Sequence, residues 1–179
     1  MKPFQSKTIA LTAILTAFGI LIPLMMPVKI VIGPASFTLA SHVPIFLAIF
    51  ISTPIAIMVT LGTALGFLFA GFPIVIVLRA LSHILFAIIG ATMIQKSSNW
   101  VEKPLNTLLL ALFLNLLHGL AEFLIVYGLT MTNTISLNYI KSLILLIGFG
   151  SLVHGILDFY LAHYLKTFLV EKTGVNFIL

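Results

Sequence analysis

The chain has 179 residues, of which 61% are hydrophobic and 7% charged, and its mean hydropathy is +1.26, a balance that no soluble domain of this size carries and that marks an integral membrane protein. Its formal charge of +5 resides in lysines at the chain ends and between apolar runs, which is a topology signal and not a nucleic-acid surface. There are no cysteines, so disulfides, thiolate chemistry and Cys-ligated metals are excluded.

The first apolar run, about Thr8 to Met26, is too long for a signal h-region and has no small-residue cleavage site, so it reads as a retained helix. Ala13-xxx-Ala17 lies on one face of it, a stripe that permits close helix approach. The segment MPVKIVIGPASF follows. The overlapping stretch IGPASFTLASHVP, with Ser36, Thr38, Ser41 and His42, is polar enough to line a cavity and apolar enough to dip into a bilayer; it reads as either a lid or an ordinary structured loop. A short second helix is expected from about Thr38 to Ile51, and Ser52-Thr53-Pro54 turns into a third that ends near Ala70. Gly62-xxx-Gly66 on that helix is an internal packing stripe. Gly71-Phe72-Pro73 starts a fourth helix ending near Ile94, followed by the polar loop QKSSNWVEKP with Trp100. A fifth helix is expected from Leu105 to Leu129, the polar segment TMTNTISLN as a loop, and a sixth helix from Tyr139 to Leu165.

The spacing therefore predicts an all-α membrane protein of about six spans, forming one domain over residues 1–179. With the N-terminus inside, Lys2, Lys7, Lys96, Lys103, Lys166 and Lys172 fall on the inner side and only Lys29 and Lys141 on the outer. The positive-inside rule then puts both termini in the cytoplasm of a multi-pass cell-membrane protein, with Trp100 at the inner lipid interface. Neither a P-loop nor a GxGxxG motif is present, so no cofactor is expected and any driving energy must come from another chain or an ion gradient.

Arg79 is the only charged side chain between Lys29 and Lys96. A guanidinium at membrane depth needs a partner or a polar cavity, and its fork of donors suits a carboxylate. His83 stands one turn deeper on the same face. On the fifth helix Asn115, His118 and Glu122 recur at i, i+3, i+7, and depth counting brings Glu122 level with Arg79. Two readings follow: an Arg79–Glu122 pair that staples two helices, or a wet cavity in which Arg79 keeps an edge for an anion. Ser151, His154 and Asp158 repeat the same spacing on the sixth helix. Counted from Tyr139, Asp158 falls roughly 28 Å from the outer end, which places it and His163 near the inner interface and too far from Glu122 to share an ion. No metal site is expected on that count. Acid–base chemistry by an intramembrane enzyme lacks a nucleophile constellation, and a solitary carrier using Glu122 and Asp158 is the remaining rival.

The size, the span count, Ala13-xxx-Ala17, the long segment before the second helix, and the runs PASFTLASHVPIFLAIFIS and GFPIVIVLRALSH together resemble the substrate-binding S components of energy-coupling-factor (ECF) vitamin transporters. The niacin type is most similar, with pantothenate-type members next. The resemblance implies a vitamin site open to the outside, no enzymatic activity, and docking through Ala13 and Ala17 on a shared transmembrane coupling protein with two cytoplasmic ATPases. The substrate residues expected from depth, rather than from a family motif, are Arg79 for a carboxylate with His42, His83, Asn115, His118 and Glu122 around it.

Overall fold

A computed structural model describes residues 6–32, 35–131 and 136–173. Lys2 of the expected inner-side lysines, Gly33 and Pro34 of the second segment, and residues 132–135 of the expected loop lie outside them. In chain order the elements are α1 Ser6–Met25, β1 Lys29–Ile32, β2 Ala35–Thr38, α2 Val43–Ile51, α3 Thr53–Phe69, α4 Ile74–Ser82, α5 Ile84–Lys96, α6 Asn99–Glu102, α7 Pro104–Thr130, α8 Leu137–Leu143, a π-helical stretch Ile144–Phe149, and α9 Gly150–Thr173. Four stretches are long and apolar enough to cross a membrane: Ser6–Met25, Ile74–Lys96, Pro104–Thr130 and Leu137–Lys172. The apolar α3 is shorter.

The architecture is helical as expected, with one two-stranded element among the described residues. Lys29–Ile32 and Ala35–Thr38 pair as an antiparallel hairpin, Lys29 opposite Thr38 and Ile32 opposite Ala35. The cause is a β-branched run, KIVI, that favours the pleated backbone over a helix. The second helix accordingly begins at Val43 and not at Thr38, with Pro44 in its first turn, where a missing N–H costs nothing.

Every residue of α2 is buried. It is the axis of the core, with α1, α3, α5 and α9 around it. Phe46 meets the rings of Phe86 at 5.4 Å and Phe159 at 5.2 Å, edge-on or tilted geometries that favour aromatic pairs. Ser52 ends α2 in an extended conformation and caps α3, its Oγ accepting from the Ile55 N–H. Gly62 and Gly66 face Thr16 and Ile20 of α1, and Gly19 faces Thr63. The glycine stripe on α3 is thus the seat of α1, as its internal-packing reading requires.

The expected single fourth helix is broken at His83. Ser82 Oγ donates to the Arg79 carbonyl at 2.7 Å, and the His83 N–H turns to the Ala80 carbonyl at 3.3 Å. A hydroxyl has taken the acceptor that the next turn would use, so the ladder tightens for one residue and restarts as α5. The expected sixth helix is likewise divided, into α8, the π-helical stretch and α9.

Candidate functional site

Glu122 of α7 is the hub. The residue is 2% exposed and its carboxylate is met from α4, from α9 and from its own helix. Arg79 of α4 donates from a terminal nitrogen to Oε2 at 3.0 Å, and Ser151 of α9 donates to the same oxygen. Oε1 faces two imidazoles: His83 Nε2 at 3.0 Å and His118 Nε2 at 3.5 Å. The expected meeting of Arg79 and Glu122 at one depth therefore occurs as a direct ion pair. The His83 break points that ring into the same space from the end of α4.

Asp158 is where the sequence expectation fails. It is fully buried and does not face an inner interface. Its Oδ1 accepts the Ala40 N–H at 2.8 Å; its Oδ2 accepts the His42 N–H at 2.9 Å and contacts His42 Nδ1 at 3.0 Å. The depth count treated the segment before α2 as an outer loop. That segment instead descends until His42 stands beside α9. Ala40 turns the chain there with a φ of 66°, a left-handed conformation that costs a non-glycine residue about 1–2 kcal/mol. The carboxylate holds the backbone on both sides of that turn.

The expected metal-excluding separation of the two histidine–carboxylate pairs fails with it. The His42 ring lies 4.7 Å from that of His83, 4.5 Å from His118 and 5.0 Å from His154, centre to centre. One histidine thus joins the Glu122 group to the Asp158 group. His154 completes the second group: its Nε2 is 3.1 Å from Ser41 Oγ and 3.4 Å from Asp158 Oδ2. His163 lies apart, its Nε2 3.0 Å from the Val101 carbonyl of α6.

A cavity of about 220 Å³ opens on this cluster. Arg79, His42, His83 and Glu122 form its polar floor. Phe67 and Phe72, stacked with ring centres 4.6 Å apart, supply an apolar wall. The hairpin closes another side with Lys29, Val31, Ser36 and Thr38. Ser36 accepts from both terminal nitrogens of Arg79, through Oγ at 3.3 Å and through its carbonyl at 3.4 Å. Of the residues expected from sequence, Arg79, His42, His83 and Glu122 line the cavity, whereas Asn115 and His118 stand behind its wall. Asn115 donates to the Ala111 carbonyl of its own helix at 2.8 Å.

Sequence reasoning missed Ser36 as a partner of Arg79 and Asp158 as the anchor of the descending turn. For Ser36 the signal was present in the alternation of KIVI and ASFT around Gly33-Pro34. For Asp158 no local signal existed.

No protein-family profile matches the chain, and no solved structure matches it. The niacin transporter NiaX of Lactococcus lactis subsp. cremoris (strain MG1363) is 40% identical to it over 163 residues, covering 90% of this chain and 73% of the relative.

Proposed function

Because the chain belongs to the family of the niacin transporter NiaX, we propose that it is a single-domain S component that binds nicotinate from the outer side of the cell membrane for an ATP-driven ECF importer. The observation that carries the substrate assignment is the cavity itself. On its floor stands Arg79, buried and paired with Glu122, and on its wall a pair of stacked aromatic rings. A carboxylate matches the guanidinium fork, and a flat heteroaromatic ring matches the Phe67–Phe72 wall. At about 220 Å³ the space is below the ~300 Å³ at which ordinary ligand pockets begin, which favours a one-ring vitamin over larger ones. An incoming carboxylate competes with Ser36 for the Arg79 donors, so binding is coupled to the position of the hairpin. His42 and His83 flank the ring.

Six spans with both termini in the cytoplasm place the hairpin on the outer side and the lysine-rich ends inside. Ala13 and Ala17 lie on the exposed face of α1, beside Ile14 and Phe18. A small-residue seam on an uncovered apolar helix suits close docking of another membrane helix, in this reading the shared coupling protein that carries two cytoplasmic ATPases. The protein then performs no chemistry of its own.

The test is a calorimetric titration of the purified chain with nicotinate, nicotinamide and pantothenate. Saturable binding of nicotinate, with nicotinamide weaker for want of a carboxylate, is the expected result. Tighter binding of pantothenate than of nicotinate, or no binding of either, would overturn the substrate assignment.

A further inference from the structure

We propose that His42, His83, His118 and Glu122 form a site for one divalent transition-metal ion of the zinc class. Each residue offers a ligand atom, and these atoms all lie within 4.8 Å of one another in a fully buried setting. His83 Nε2 and His118 Nε2 stand 3.0 and 3.5 Å from Glu122 Oε1. A tetrahedral shell with metal–ligand bonds of ~2.0–2.1 Å has ligand-to-ligand edges of about 3.3 Å. Two of the six donor separations already match that edge, and the other donors lie within 4.8 Å, close enough for side-chain rotation to gather them around one ion. Three imidazoles and one carboxylate are borderline ligands that suit Zn²⁺ and its neighbours rather than Mg²⁺ or Ca²⁺.

The surroundings of the four ligands have the form of outer-shell supports. Glu122 Oε2 is held by Arg79 and Ser151, which leaves Oε1 as the coordinating oxygen. His42 Nδ1 faces the Asp158 carboxylate, so its proton belongs on Nδ1 and its Nε2 lone pair is left for the ion. His118 has neither ring nitrogen in a hydrogen bond, an expensive state for a buried imidazole. Ligation through Nε2 satisfies one nitrogen. The other, Nδ1, lies with the unpartnered Asn115 Oδ1 beside Gly155, where a Cβ would strike both.

Charge favours a cation as well. With the histidines counted as neutral, the described cluster holds one cation, Arg79, and two buried carboxylates, its partner Glu122 and the more distant Asp158, a net charge of −1. A divalent ion reverses that sign and leaves one positive charge, which a monoanion in the adjoining cavity cancels. This last point alone rests on the nicotinate reading; the coordination geometry does not.

The test uses full-length protein bearing a tag without histidines, purified in detergent and stripped with a chelator. Co²⁺ is titrated in and the visible absorption of four-coordinate cobalt is followed, with Zn²⁺ then added as competitor. The expected result is saturation at one ion per chain, displaced by Zn²⁺. His118→Ala and Glu122→Gln should each weaken it at least tenfold, and His163→Ala, outside the cluster, should leave it intact. Absence of a saturable cobalt spectrum in the unsubstituted protein, or an undiminished spectrum in a monodisperse His118→Ala preparation, overturns the proposal. Nicotinate titrated into both the stripped and the cobalt-loaded preparations keeps the two readings separate. Nicotinate binding without a cobalt response rejects only the metal site, and a cobalt response without nicotinate binding rejects only the vitamin.

Discussion

Arg79 and Glu122 stand 43 positions apart in the chain and 3.0 Å apart in space. The pair is not a simple staple, because Arg79 also donates to Ser36 of the hairpin and borders the cavity. Its guanidinium is shared between a buried carboxylate, the hairpin and the cavity.

Arg79→Ala and Arg79→Lys should each weaken nicotinate binding at least tenfold, about 1.4 kcal/mol. Lysine keeps the charge but loses the planar fork that can serve Glu122 and a second carboxylate together. Nicotinamide affinity, which needs no cation, should change less. Isothermal titration of both ligands against each variant checks this, and equal losses for the two would show that Arg79 acts on the fold and not on the carboxylate.

Asp158→Ala should destabilise the protein by ~2 kcal/mol, since it strands a part-buried donor at Ala40 and a buried one at His42. The segment before α2 should loosen with it. Faster tryptic cleavage after Lys29, alongside a lowered thermal midpoint, is the expected signature. Ala40→Gly should act in the opposite sense on the same turn. It relieves a left-handed conformation that glycine adopts freely, so its thermal midpoint should match or exceed that of the unsubstituted protein.

Gly155→Ala would raise helix propensity by about 1 kcal/mol at an ordinary position. Here the new methyl meets Asn115 Oδ1 and His118 Nδ1 across the α7–α9 seam. Overpacking of this kind costs about 1–3 kcal/mol, so a net loss of thermal stability is expected. A stabilised variant would mean that α9 slides easily against α7.

Ala17→Trp should leave nicotinate affinity in detergent unchanged, because Ala17 is on the outer face of α1, away from the cavity. Vitamin uptake by cells and recovery of the coupling protein in a pull-down should both fall. Retained uptake would move the docking surface elsewhere.

Much of the site was legible because it is periodic. Asn115, His118 and Glu122, and Ser151, His154 and Asp158, keep helical spacing, and all but the half-buried His154 are buried. Depth counting also brought Arg79 to Glu122. What it could not supply was the path of the connecting chain. Asp158 was placed at the inner interface because its depth was counted along one helix, while its true partner, His42, arrives from a segment with no helical period. The hairpin was obscured for a related reason. In so apolar a chain, three β-branched residues after a lysine look like any other loop near lipid, and only pairing with ASFT distinguishes them. The break at His83 turns on one hydroxyl, Ser82, competing for one carbonyl.

The brevity of α2 bears on how this protein is made. Nine residues at ~1.5 Å each reach about 14 Å, less than half of a ~30 Å hydrocarbon layer. Such a segment cannot be recognised by a translocation channel as a span or remain in lipid unaccompanied. It must enter as a hairpin with α3, to which only Ser52 joins it, and be enclosed when α5 and α9 arrive. His42, at its head, meets Asp158 only after nearly the whole chain has been synthesised. The histidine–carboxylate cluster is therefore completed last, and a truncated or stalled chain lacks it even where most of its helices are inserted.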